Sequence, residues 1–150
     1  MKNNLSPFHL AFPVNNIAET ETFFVDVIGC NVGRQSEKWI DFNFFGHQIS
    51  AHINPEKNTM TPTNIVDNNN IPIRHFGLVV PWKEWNELVE KFKANNIQFL
   101  IEPHIRFKGK VGEQATLFIL DPSGNAIEFK SFKDEKCFLS IKNKKRKGTL

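Results

Sequence analysis

The stretch Phe8-His9-Leu10-Ala11-Phe12-Pro13-Val14 returns 66 residues later as Arg74-His75-Phe76-Gly77-Leu78-Val79-Val80, histidine on histidine. A chain that repeats itself at this length builds one supersecondary unit twice, and this narrows the possible folds more than any other feature. Carried forward at the same offset, NNIAETETFFVDVIGCNV meets PWKEWNELVEKFKANNIQF. Both read as amphipathic helices, with Phe23, Phe24 and Val27 on one side of the first and Trp85, Leu88, Val89 and Phe92 in the second. Gly29 and Asn95-Asn96 fall at the same helix exits, where a left-handed cap is expected. Strands follow in each half. KWIDFNFFG sets Trp39, Asp41 and Asn43 against Ile40, Phe42 and Phe44, and HQISAHIN continues after Gly46. QATLFILDPSGNAIEFKSF repeats that plan around the turn Asp121-Pro122-Ser123-Gly124, with Gly124 in register with Gly46 after a twelve-residue insertion.

The expected fold is therefore α+β, two tandem β-α-β-β-β units forming a curved mixed-sheet pseudo-barrel within one domain, 1–150. Unit one covers 6–54, a polar Asn- and Pro-rich connector 55–72, unit two 73–133, and a basic tail 142–150. A dinucleotide-binding βαβ fold is the competitor, but no GxGxxG follows any predicted strand.

Composition removes several functional classes. The formal net charge of +3 is carried by the tail: of the 19 basic residues, Lys142, Lys144, Lys145, Arg146 and Lys147 lie there, leaving 14 basic against 16 acidic residues. Without a basic stripe interleaved with aromatics, no nucleic-acid partner is expected. No apolar run approaches the length of a membrane span, so no membrane partner is expected either. The opening MKNNLSPFHL has no apolar signal core, and the two cysteines, Cys30 and Cys137, form no CxxC motif. A cytoplasmic, reducing location fits both observations.

A lone histidine inside a strand is ordinarily a packing or edge residue. Two at equivalent positions of a repeat point to a shared task. On the segments FHLAFPV, RHFGLVV and DPSGNAIEF, the sequence resembles the vicinal oxygen chelate superfamily of glyoxalase I, bleomycin-resistance proteins and extradiol dioxygenases, over about residues 6 to 133. It is most similar to small extradiol-type dioxygenases. Metal ligands in this superfamily come from the first and last strands of each unit, so the resemblance implies a central metal site with His9, His75 and Glu128 as ligands. Two imidazoles and one carboxylate are also the facial set that holds Fe(II) with open coordination positions. Fe(II) is the favoured divalent metal, with Mn, Zn or Ni as alternatives.

The repeat partner of Glu128 is Ser50, whose hydroxyl is a poor ligand for a divalent ion. Three protein ligands and an open metal face are thus expected. His52 shares a strand face with Ser50 and Gln48 and is the candidate catalytic base, with a supporting role around the metal as its alternative. Arg106, Gln48, Ser50 and Gln114 are candidate substrate contacts, Arg106 through a carboxylate or phenolate. The resemblance implies a non-haem Fe(II) extradiol-type dioxygenase acting on a small aromatic or diol-like molecule as a homodimer. A glyoxalase-like lyase or isomerase and a metal-free ligand-sequestering protein are the alternatives. The isomerase would need a base carboxylate near the metal, which Ser50 does not supply and Glu113 would have to provide from a loop.

Overall fold

The structure is a computed structural model that describes residues 6–54 and 62–138; the basic tail lies outside the described residues. Unit one runs β1 (His9–Val14), α1 (Ile17–Thr22), a π-helical segment (Phe23–Ile28), β2 (Asn31–Gln35), β3 (Trp39–Phe44) and β4 (His47–Ile53). A hairpin follows, β5 (Thr63–Val66) and β6 (Asn69–Pro72), so the connector carries ordered strands of its own. Unit two runs β7 (His75–Val79), α2 (Trp82–Ala94), β8 (Phe99–Arg106), β9 (Gln114–Leu120) and β10 (Ala126–Phe132), with a 3-10 turn at Glu135–Cys137.

The two units have one topology. Their sheets are ordered β1-β4-β3-β2 and β7-β10-β9-β8. In each, the first strand pairs in parallel with the last and the other pairings are antiparallel. The fold is mixed α+β, as the repeat predicts. The sheets remain two separate four-stranded layers and do not close into a barrel.

Alternation along the strands explains this arrangement. Phe12 and Val14 on β1, Ile40, Phe42 and Phe44 on β3, and Ile49 and Ala51 on β4 are buried, whereas His9 and Ala11, on the opposite face of β1, are exposed. In unit two the buried partners include Ile127 and Phe129 on β10 and Leu117 and Ile119 on β9. Helix α2 contributes Trp85, Val89 and Phe92, spaced at three to four residues on one face. The segment Phe23–Ile28 ends at Gly29 (φ 98), whose N–H bonds the Phe24 carbonyl five residues back. That wide turn lets Phe23, Phe24 and Ile28 all face inward.

All of these side chains form one continuous core shared by both units. Phenylalanines knit it across the boundary: Phe12 and Phe76 lie 5.2 Å apart and Phe44 and Phe76 6.0 Å apart, centroid to centroid. Polar links add to this, since Asn125 Nδ2 donates to the Pro13 carbonyl (2.9 Å) and Asn15 N–H donates to Ser123 Oγ (2.9 Å). Because the core is built from the inward faces of the sheets, the faces that carry His9 and His75 are the two turned away from it.

Candidate active site on the open sheet faces

The strand registers place the repeat-related residues in equivalent positions. His9 stands beside Gln48 and Ala11 beside Ser50 on the first sheet; His75 stands beside Ala126 and Gly77 beside Glu128 on the second. Ser50 and Glu128 are thus counterparts in space as well as in sequence.

His75 and Glu128 come together. Nε2 of His75 lies 3.3 Å from Glu128 Oε2, and His75 Nδ1 lies 2.6 Å from the Pro72 carbonyl oxygen. A carbonyl oxygen can only accept, so Nδ1 carries a proton and donates it, leaving Nε2 as the nitrogen that faces the carboxylate. Glu128 Oε1 also accepts from Thr116 Oγ1 (2.6 Å) and lies 3.1 Å from Lys130 Nζ. Burial alone would raise the Glu128 carboxyl, but His75, Thr116 and Lys130 outweigh it and hold the pKa down at about 2. His75 is raised, chiefly by its bond to Glu128, against the opposing effect of its partial burial and with help from the Pro72 carbonyl. The pair opens into a cavity of about 170 Å³ whose lining includes His104, Arg106, Phe118 and the hairpin residues Asp67 and Ile71.

His9 does not join them. It is exposed on β1, on the open face of the other sheet, and is not in the wall of that cavity. Among the described residues no group of three His, Cys, Asp or Glu side chains is placed to hold a metal ion. The converging Nε2 and Oε2 edges suit two ligands of a divalent cation. Within one chain, however, the expected third ligand is held on the far side of the core. Among the described residues of one chain, the three ligands implied by the resemblance are not brought together.

The first unit's open face has a polar cluster of its own, centred on a residue that the sequence reading did not select. Asp41, buried on β3 opposite Ser50, accepts from Ser50 Oγ (2.5 Å), Gln48 Nε2 (3.2 Å) and Arg34 Nη2 (3.1 Å). Burial pushes its carboxyl up, yet the bonds from Ser50, Arg34 and Gln48 hold it below the ordinary value. The carboxylate missing at Ser50 is supplied one strand over, where unit two has Phe118 facing Glu128. The alternation of Trp39, Asp41 and Asn43 already put Asp41 on this face; what hid it was that no repeat-related acid marks the position. The cluster borders a cavity of about 330 Å³ lined in part by Gly33, Arg34, Asn43 and His47.

The remaining candidates are dispersed. His52 is exposed near the end of β4, opposite Trp39, and is outside the cavity of His75 and Glu128. Gln114 is buried at the start of β9, beside Arg106 on β8. Arg106 does line that cavity, with Nε donating to Asp67 Oδ2 at 2.6 Å. Glu113 is engaged in its own loop, accepting from Gly109 N–H (2.6 Å). His47, directly after the Gly46 turn, accepts from Phe8 N–H through Nδ1 (3.0 Å).

A family model described as the Glyoxalase/Bleomycin resistance protein/Dioxygenase superfamily matches residues 6–129, which spans both units. The chain belongs to this superfamily. A solved glyoxalase/bleomycin resistance protein/dioxygenase from Alicyclobacillus acidocaldarius is 30% identical, with a TM-score of 0.74 over 91% of this chain and 98% of that one. The fold is also similar to the genomically encoded fosfomycin resistance protein FosX from Listeria monocytogenes (18% identity, TM-score 0.64, 87% and 94% of the two chains). It is similar as well to a lactoylglutathione lyase from Agrobacterium tumefaciens (16% identity, TM-score 0.62, 93% and 100%). Among curated proteins, none has a matching sequence. Members of the superfamily thus include enzymes of more than one reaction class, and the glyoxalase-type β-α-β-β-β units described above are their common frame. No helix among the described residues is long and apolar enough to cross a membrane.

Proposed function

We propose that the protein is a metal-dependent enzyme acting on a small molecule, and that it works as a homodimer in which His9 of one chain meets His75 and Glu128 of another. The observation that carries this reading is the His75–Glu128 contact, 3.3 Å long, with Nδ1 pinned by the Pro72 carbonyl. A histidine oriented through its far nitrogen and an ionised carboxylate held down at about 2 are what two ligands of a divalent cation require. A bound divalent cation would supply Lewis-acid polarisation of substrate oxygens. The chain's own contributions are separate: Thr116 and Lys130 keep Glu128 ionised, and the Pro72 carbonyl fixes the His75 ring.

Ring-opening dioxygenation with Fe(II) is the reaction that a His/His/Glu set with an open face suits best. A glyoxalase-like isomerisation is favoured by one specific observation, the ionised, buried Asp41 beside Ser50, which gives the first unit a carboxylate despite the serine. Oxygen uptake on a panel of catechols with the Fe(II)-loaded protein supports the first reading. Metal-dependent turnover without oxygen consumption supports the second. A small-molecule partner, no nucleic acid and a cytoplasmic location complete the reading. Burial pushes the Cys30 thiol up to about 12, the behaviour of an inert core residue.

Complementation between variants tests the shared centre. His9→Ala and His75→Ala proteins should each bind no stoichiometric metal. Mixed, unfolded and refolded together, they should recover a fraction, because a mixed dimer contains one centre with both histidines intact. If the mixture recovers nothing while both variants remain dimeric, the centre is not shared between chains. If His75→Ala retains its metal, the ligand set itself is wrong.

A further inference from the structure

The β5–β6 hairpin brings a carboxylate to the cavity of the second unit. Its two-residue turn is Asp67-Asn68, with φ of 49 and 64, the left-handed pair that a type I′ hairpin needs and that Asp and Asn adopt with little strain. The turn therefore fixes where Asp67 sits, and from there Oδ2 accepts from Arg106 Nε at 2.6 Å. Asp67 and Arg106 line the same cavity as His75 and Glu128.

The two cations in this cavity are neutralised in different ways. Lys130 is met by Glu128 from its own strand, at 3.1 Å. Arg106 is met by a residue of the connector, and the exposures of the two side chains are unequal: 22% for Arg106 and 52% for Asp67. The terminal N–H groups of Arg106 have no hydrogen-bond partner among the described residues. A guanidinium presents five donors and takes planar oxyanions through two of them at once, so a single bond to an exposed carboxylate leaves most of its capacity unused.

We propose that Arg106 is the seat for a carboxylate on the substrate, and that Asp67 is a resident counterion which this group displaces. The inference rests on the reading of this cavity as the substrate site. It adds the charge class of the substrate and a residue that sets affinity without touching the metal ligands. Exchange of one anion for another leaves the charge of the cavity unchanged, and only the hairpin tip has to yield.

Calorimetry with benzoate tests it, with benzamide as the uncharged control. In Asp67→Asn, where the turn chemistry is kept, benzoate should bind about fivefold tighter than to the wild type, the most that loss of one exposed ion pair would release. Arg106→Gln should lose anion binding, Arg106→Lys should retain a weaker form of it, and benzamide should respond to none of these changes. Equal affinity in wild type and Asp67→Asn, undiminished binding in Arg106→Gln, or no binding of benzoate to any of the proteins overturns the proposal. Metal content of the same samples separates the two readings. A chain that holds no metal yet shows the Asp67→Asn gain refutes the proposed function alone; a metal-binding chain indifferent to Asp67→Asn refutes the anion seat alone.

Discussion

Asp41 shows how a single charge is kept buried. Three donors converge on its carboxylate, and their combined effect overrides the cost of burial. A carboxyl depressed in the folded state contributes stability that is complete above its unfolded value, near 3.8, and is lost as the pH falls through the folded-state value. Asp41→Asn keeps the shape and removes the charge. It should cost about 1–3 kcal/mol at pH 7, and the gap to wild type should narrow below pH 3.8, where the wild-type carboxyl also becomes neutral. Urea denaturation at both pH values checks this; a gap that stays constant would mean that shape rather than charge is responsible. The residue was half legible in the sequence. The period of two assigned it a face, but its partners come from β2 and β4, which no local pattern joins.

At the scale of elements, the two parallel pairings β1–β4 and β7–β10 have the same register and different tolerances. Ala11 carries a Cβ beside Ser50, whereas a Cβ on Gly77 would stand 1.7 Å from the Glu128 carbonyl oxygen. The second pairing is close because its first strand has no side chain at that position. Gly77→Ala should therefore part β7 from β10, costing about 3 kcal/mol or more and separating His75 from Glu128. Chemical denaturation measures the first effect. Loss of the downfield His75 ring proton in NMR reports the second. The opposite substitution in the first unit, Ala11→Gly, should cost only the ordinary strand penalty of about 1 kcal/mol. The sequence repeat aligned Ala11 with Gly77 but gave no reason for the difference, because the clash is with a residue 51 positions further along the chain.

For the whole molecule, the decisive fact is that both sheets bury their apolar faces in one core. This follows from alternation, which puts Phe12 and Val14 on one side of β1 and Ile127 and Phe129 on one side of β10. It also leaves His9 and His75 on the two sheet faces turned away from that core. Asn125 helps to set the two units, donating through Nδ2 to the Pro13 carbonyl (2.9 Å) and to Asp121 Oδ2 (2.7 Å). Asn125→Ala should lower stability by about 1–3 kcal/mol by leaving these acceptors under-satisfied. It should also speed amide exchange in β1 relative to β3, as read by hydrogen exchange. Uniform protection across both strands would show that the phenylalanine cluster alone sets the units.

The sequence by itself determined the repeat, the order of elements in each unit, the inward faces of β3, β4 and β10 and the pairing of Ser50 with Glu128 across the repeat. All of these follow from local periodicity and from turns that Gly29, Gly46 and Gly124 permit through positive φ. It also marked His75 and Glu128, whose neighbours in the chain carry the pattern. Only the tertiary structure decided that these two meet while His9 does not, that Asp41 supplies the first unit's carboxylate, and that a hairpin within the connector brings Asp67 to Arg106. The reason is physical: periodicity fixes which way a side chain faces on its own sheet, whereas contact between sheets depends on which faces the hydrophobic core consumes.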